Sequence, residues 1–205
     1  MRLIWRMVAM GSVMAMSVGP LRAQDVQGDQ ETVRRAIHVC AACHGEGGRS
    51  ETKSVPSLAG QQRLYTIAQL KDFRSQTRAE AGTRAYMWGV SALLDDATIT
   101  GLADYYAAHK PARGKPGDPA LVKAGKKIFE QGLPGGVLAC AGCHGTSGDG
   151  AAGFPRLAGQ RADYVFDQLK VFGTRLRPHG VLMQAETKAM KPADMRAVAE
   201  YVQSL

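Results

Sequence analysis

Apolar positions along the chain recur at three- and four-residue steps, the spacing of one buried helix face. Ile99, Leu102, Tyr105, Tyr106 and His109 follow this step, as do Met195, Val198, Ala199, Val202 and Leu205. The pattern predicts helices over 31–40, 62–74 and 96–109, and again over 120–131, 161–172 and 192–204. The stretches 45–57 and 145–154 are rich in Gly and Ser and lack strand alternation, so no sheet is expected. The expected fold class is all-α.

The two sets of helices arise from a repeat. Cys40-Ala-Ala-Cys43-His44 recurs as Cys140-Ala-Gly-Cys143-His144, 100 residues on. Pro56 with Leu58-Ala-Gly-Gln61 recurs as Pro155 with Leu157-Ala-Gly-Gln160, and Gln69-Leu-Lys71 as Gln168-Leu-Lys170, each 99 on. Tyr105 and Tyr201 stand 96 apart, which places a three-residue deletion between Phe172 and the last helix. Self-similarity of this kind marks a duplicated unit. The join is rich in Pro, Gly and basic residues, as linkers are. Asp118-Pro119 then reads as a helix cap followed by a first-turn proline. The expected domains are 24–110 and 119–205, joined by a linker at 111–118.

The N-terminus carries Arg2 and Arg6, an apolar run over 7–18, then Gly19, Pro20 and Ala23. That order reads as a secretory signal peptide, 1–23, cleaved after Ala23. Leu21 at the −3 position is not the usual small residue, so a retained anchor is the alternative. Cleavage would remove three basic residues and no acid, changing the formal charge from +8 to +5. It would also leave four of nine methionines: Met87, Met183, Met190 and Met195. Hydrophobic residues at 45% and charged residues at 21% suit a globular chain, but aromatics at 6% are lean for two small cores.

Cys-x-x-Cys-His is the attachment signature of c-type haem. Two thiols three positions apart on a helical turn can bond the two vinyl groups of one porphyrin, and the adjacent His is directed at the iron. Cys40, Cys43 and His44, with Cys140, Cys143 and His144, predict two covalently bound haem c groups and account for every cysteine. A shared zinc site leaves the following histidines and the long intervening segment unexplained. A pair of redox dithiols is the other alternative.

Methionine as sixth ligand raises the potential of an electron carrier. Met87 is the one candidate in the first domain once the leader is gone, and the 96-residue offset carries it onto Met183. The same offset makes Met190 and Met195 core positions. Simple packing is the alternative for Met87 and Met183. His38, His109 and His179 read as packed or exposed histidines, with a competing ligand as the alternative for His179, four residues before Met183. Pro56 and Pro155 follow their histidines by 12 and 11 residues, placing a backbone carbonyl to hold each imidazole, or else merely stiffening the loop.

With these motifs assembled, the chain resembles the cytochrome c4 family over nearly all of its expected mature length. The resemblance implies two packed cytochrome c domains in pseudo-twofold arrangement, axial pairs His44/Met87 and His144/Met183, and Pro56 and Pro155 carbonyls that accept hydrogen bonds from the haem histidines. It also implies periplasmic electron transfer without a catalytic residue. Family members commonly carry a glycine in the first helix of each domain, where the last helix crosses. Gly125 fills this place in the second half, whereas the first half has none, leaving the tightness of that crossing open.

The basic excess sits in one half. Residues 24–110 hold ten basic and ten acidic residues, and 111–205 hold thirteen and eight. This favours an acidic redox partner or an anionic membrane surface facing the second domain, with no nucleic acid. The expected activity is that of a dihaem electron carrier between a redox donor and acceptor. The alternatives are the electron-accepting subunit of a dehydrogenase complex that oxidises sulfide or an alcohol, and a haem enzyme with an open iron position.

Overall fold

A computed structural model describes residues 21–79 and 85–205. The expected leader, 1–23, lies outside the described residues except for the backbone of its last three. In the first half the helices are α1 (Leu21–His44), α2 (Arg63–Arg74), α3 (Ala85–Ser91) and α4 (Asp96–Ala108). In the second they are α5 (Pro119–Gln131), α6 (Ala141–His144), α7 (Ala162–Phe172), α8 (Val181–Thr187) and α9 (Pro192–Ser204). Among the described residues there is no strand, only isolated bridges between Leu133 and Val137 and between Ala151 and Phe154.

Local chemistry explains the helix starts. The Asp118 carboxylate accepts from the Ala120 and Leu121 N–H groups at 2.9 and 3.0 Å, with Pro119 in the first turn. Asp95 accepts from the Thr98 N–H at 2.7 Å and caps α4 in the same way.

Two helices were not expected from the pattern. α3 and α8 have seven residues each, and Tyr86, Val181 and Leu182 on them are exposed, so no one-sided apolar stripe announces them. They stand 96 residues apart, while Arg78 and Arg177 on the preceding loops stand 99 apart. The deletion therefore lies in the short segment just before α8. α1 also runs beyond the predicted 31–40 and carries the first Cys-x-x-Cys-His as its last turn. In the second half the segment 132–140 separates α5 from α6.

Each domain crosses its first helix with its last, α1 with α4 and α5 with α9. A Cβ at Gly125 would lie 2.0 Å from the Ala197 carbonyl oxygen, so glycine is what lets α5 and α9 meet backbone to backbone. In the first domain the small residue stands on the opposite helix. A Cβ at Gly101 of α4 would lie 2.5 Å from Val33 of α1, and Gly101 corresponds to Ala197 at the 96-residue offset. The crossing is thus close in both halves, with the glycine exchanged between helices.

Ile99, Leu102, Ala103 and Tyr106 fill the first core, and Phe129, Leu169, Met195, Val198 and Val202 the second. The segment between the domains is packed rather than free. Pro111 lies against Gly60, Ala112 lies against Gly159, and the Lys115 N–H donates to the Gln203 carbonyl at 2.9 Å.

Candidate haem sites and the seam between them

His44 ends α1 and His144 ends α6, each followed by a glycine at positive φ, Gly45 at 76° and Gly145 at 81°. A Cβ at Gly45 would lie 2.2 Å from the Arg49 carbonyl oxygen, so the chain can reverse here only with glycine. After the turn, the Gly48 carbonyl accepts from the Leu58 and Ala59 N–H groups, and the Gly148 carbonyl from those of Leu157 and Ala158. These bonds fold the Pro56 and Pro155 loops back over the histidines.

Both imidazoles are buried, and burial holds each below the ordinary histidine range, opposed only by one carbonyl. They are therefore neutral at neutral pH. His44 Nδ1 lies 2.8 Å from the Pro56 carbonyl oxygen, and His144 Nδ1 lies 3.0 Å from that of Pro155. A carbonyl only accepts, so Nδ1 carries the proton and Nε2 keeps a free lone pair.

None of the four cysteines is paired in a disulfide. Burial raises the Cys40 thiol and pushes Cys140 up to about 11. Among the described residues no group of three or more His, Cys, Asp or Glu converges on a metal position, so the two Cys pairs do not meet at one zinc.

Met87 and Met183 are each the third residue of their short helix, and both are half-buried. Trp88 Nε1 donates to the Arg78 carbonyl at 2.7 Å and anchors α3. The Glu186 carboxylate accepts from the Leu138 N–H at 2.7 Å, tying α8 to the segment before Cys140. Met195 is in the second core and Met190 packs against it, as their repeat positions imply. Six of the large exposed apolar side chains lie beside the same motifs: Val39 and Leu138 before the cysteines, Tyr86 and Val90 around Met87, Val181 and Leu182 before Met183. Paired thiols, an imidazole with a free Nε2, a thioether and apolar surface beside them form a donor set that fits haem c.

The remaining histidines are otherwise engaged or exposed. His109 Nδ1 lies 2.7 Å from the Tyr105 carbonyl oxygen, and His38 is exposed. His179 Nδ1 lies 2.8 Å from an Asp72 carboxylate oxygen and joins the two domains.

The seam between the domains uses residues that the motif reading passed over or noted only as repeats. Gln160 Oε1 accepts from the Ser57 N–H at 2.8 Å, and Gln160 Nε2 donates to the Ser57 carbonyl at 2.9 Å. Gln61 does the same to Arg156, at 2.7 and 3.1 Å. Further along, the buried Arg78 and Arg177 each donate to both Gln69 and Gln168 and stack over Phe73 and Phe172. They also reach across to the Tyr164 and Tyr65 hydroxyls, respectively. The 99-residue offset, continued as far as Arg78, is the signal that could have found them. At the linker, Arg49, Lys110, Arg113, Lys115 and Arg161 surround a cleft of about 320 Å³, with Glu51 as its acidic residue.

Comparison with known proteins agrees with this architecture. The cytochrome c family profile matches residues 34–108 and 122–205. Cytochrome c-552 of Acidithiobacillus ferridurans is 41% identical over 199 residues, covering 95% of this chain and 85% of that protein. Two relatives at 34% identity are cytochrome c4 of Azotobacter vinelandii, covering 87% of this chain and 90% of its own, and a thiosulfate dehydrogenase electron acceptor of Thiomonas intermedia, covering 80% and 76%. The solved structure of Acidithiobacillus ferrooxidans cytochrome c4 superposes with a TM-score of 0.76 at 43% identity, covering 81% of this chain and 98% of that one. The repeated domains, the two Cys-x-x-Cys-His turns and these likenesses together establish that the chain belongs to the cytochrome c4 family, as an electron-transfer cytochrome with two covalently bound haem c groups.

Proposed function

We propose that the haem groups are held through Cys40 and Cys43 in the domain 24–110 and through Cys140 and Cys143 in the domain 119–205. His44 with Met87 and His144 with Met183 would hold the two irons. What carries this reading is the pair of buried imidazoles, each fixed by a proline carbonyl at Nδ1 and left with a free Nε2 beside two thiols. The bound haem supplies a one-electron couple at its iron. The chain's own part is to fix both imidazoles in one tautomer and orientation, to surround the site with apolar side chains, and to hold a thioether on a short helix. A site that keeps the same ligands in both oxidation states reorganises little when an electron enters or leaves.

Absorption of the mature holoprotein should show low-spin haem c with a methionine–iron charge-transfer band. Replacing Met87 or Met183 by Ala should each remove about half of that band, since each methionine serves one iron. High-spin ferric haem in the unmodified protein would instead favour the haem-enzyme reading.

The protein acts in the periplasm after removal of 1–23, a reading supported by the leader pattern and by the haem c signature. No helix among the described residues is long and apolar enough to cross a membrane. A second reading, the electron-accepting subunit of a dehydrogenase, is favoured by the likeness to the Thiomonas intermedia electron acceptor. Co-purification of a stoichiometric second subunit from the native source decides between a free carrier and that role.

A further inference from the structure

We propose that each domain's haem potential is set in part by a glutamine of the other domain: Gln160 acts on the first haem and Gln61 on the second. This rests on His44 and His144 being the axial histidines. The reasoning starts from one peptide unit. The carbonyl of Pro56 and the N–H of Ser57 belong to the same amide group. His44 Nδ1 donates to that carbonyl at 2.8 Å, and the N–H donates to Gln160 Oε1 at 2.8 Å. In the second domain, His144 Nδ1 donates to the Pro155 carbonyl at 3.0 Å, and the N–H of the same amide, on Arg156, donates to Gln61 Oε1 at 2.7 Å. Each haem histidine is thus two hydrogen bonds and one amide away from a side chain of its neighbour.

The geometry leaves little freedom. Gln61 and Gln160 are 7% and 6% exposed. Their amide orientation is dictated by chemistry, because each Oε1 faces two backbone N–H groups: those of Ser57 and Arg161 for Gln160, and those of Arg156 and Gln62 for Gln61. An N–H cannot accept, so the oxygen must face it. Nε2 of each then donates to the carbonyl of Ser57 or Arg156, closing a two-bond clamp.

Accepting from an amide N–H polarises the whole amide and makes its carbonyl a better acceptor. A stronger acceptor at Pro56 draws the His44 Nδ1 proton and raises the basicity of Nε2. A more basic axial nitrogen stabilises the ferric iron and lowers its potential. Gln160 therefore holds down the potential of the haem at Cys40 and Cys43, and Gln61 that of the haem at Cys140 and Cys143. Separating or reorienting the domains would release both potentials upward. Gln61 and Gln160 are positioning residues that act through an amide and an imidazole.

The test uses holoprotein carrying Gln160→Met or Gln61→Met, which nearly keep side-chain length and remove the hydrogen bonds. Each haem's potential is followed separately by redox titration with proton NMR of its haem methyl groups, assigned to their domains by nuclear Overhauser contacts. Gln160→Met should raise the potential of the first-domain haem and leave the second nearly in place, and Gln61→Met should do the reverse. A shift in the mutated residue's own domain, an equal shift in both, or no shift overturns the proposal. Gln160→Glu keeps an accepting oxygen and adds charge, so it should move the same haem downward. It serves where the Met variant fails to incorporate haem, and an upward, own-domain or absent shift there also overturns the proposal. In the unmodified ferric protein, hyperfine-shifted ring protons of His44 and His144 report ligation independently. Their absence would defeat the axial assignment, whereas their presence without a crossed shift would defeat only the role of the glutamines.

Discussion

Single residues do three separable jobs here: ending or starting helices, permitting close approach, and directing protons. Asp118 belongs to the first class. Asp118→Ala should cost about 1 kcal/mol of stability in a urea melt, because two N–H groups at the start of α5 lose their acceptor. Gly125 belongs to the second, and the cost there is larger. A methyl at Gly125 would meet the Ala197 carbonyl oxygen at 2.0 Å, where backbone rather than a mobile side chain must move. Gly125→Ala should therefore destabilise the second domain by about 3 kcal/mol or more, read from the same melt. His44 and His144 belong to the third class. Their burial and their carbonyl partners decide which nitrogen is free, and that choice is the chemical core of the site.

At the scale of elements, the two domains reach the same helix crossing by opposite substitutions. The second pairs Gly125 with Ala197, and the first pairs Val33 with Gly101. Gly101→Ala should lower the melting temperature because its methyl would lie 2.5 Å from Val33. Adding Val33→Ala should recover part of that loss, giving a coupling of about 1 kcal/mol in a double-mutant cycle. A different contact joins α2 to the start of α4, where Asp96 receives Lys71 at 2.7 Å and Arg74 at 2.6 Å. These cations hold the Asp96 carboxyl below its usual range. Its folded pKa is depressed, so its contribution is present above the unfolded carboxylate pKa and is lost as pH falls through the folded value. The stability difference between the unmodified protein and Asp96→Asn should therefore be measurable at pH 6, shrink below about pH 4, and be smaller in high salt.

For the whole molecule, charge and symmetry matter most. The second half carries the basic excess, and the cleft at the linker gathers Arg49, Lys110, Arg113, Lys115 and Arg161. An acidic redox partner would be drawn to this side. Its rate of electron exchange should fall as ionic strength rises, and Arg113→Glu should lower it further at low salt. A rate insensitive to salt would defeat that reading. The seam is reciprocal, since Gln160 and Gln61 each accept from the amide whose carbonyl faces His44 or His144.

Much of this was legible in the one-dimensional pattern. The six longer helices and the two Cys-x-x-Cys-His turns depend on local spacing, and the duplication on one nearly constant offset; both are present in the chain itself. α3 and α8 escaped the pattern because they are short and expose apolar side chains, so periodicity carries no signal there. The exchange of glycine between α1 and α4, and the pairing of His179 with Asp72, involve positions 68 and 107 residues apart. Nothing local relates such positions. The Leu-Ala-Gly-Gln repeats were visible as repeats, but that each glutamine serves the other domain follows only from how the domains pack. Helices and covalent attachment were thus determined by neighbours in sequence, whereas the free nitrogen, the close crossings and the crossed clamp were decided by burial, which only the tertiary fold creates.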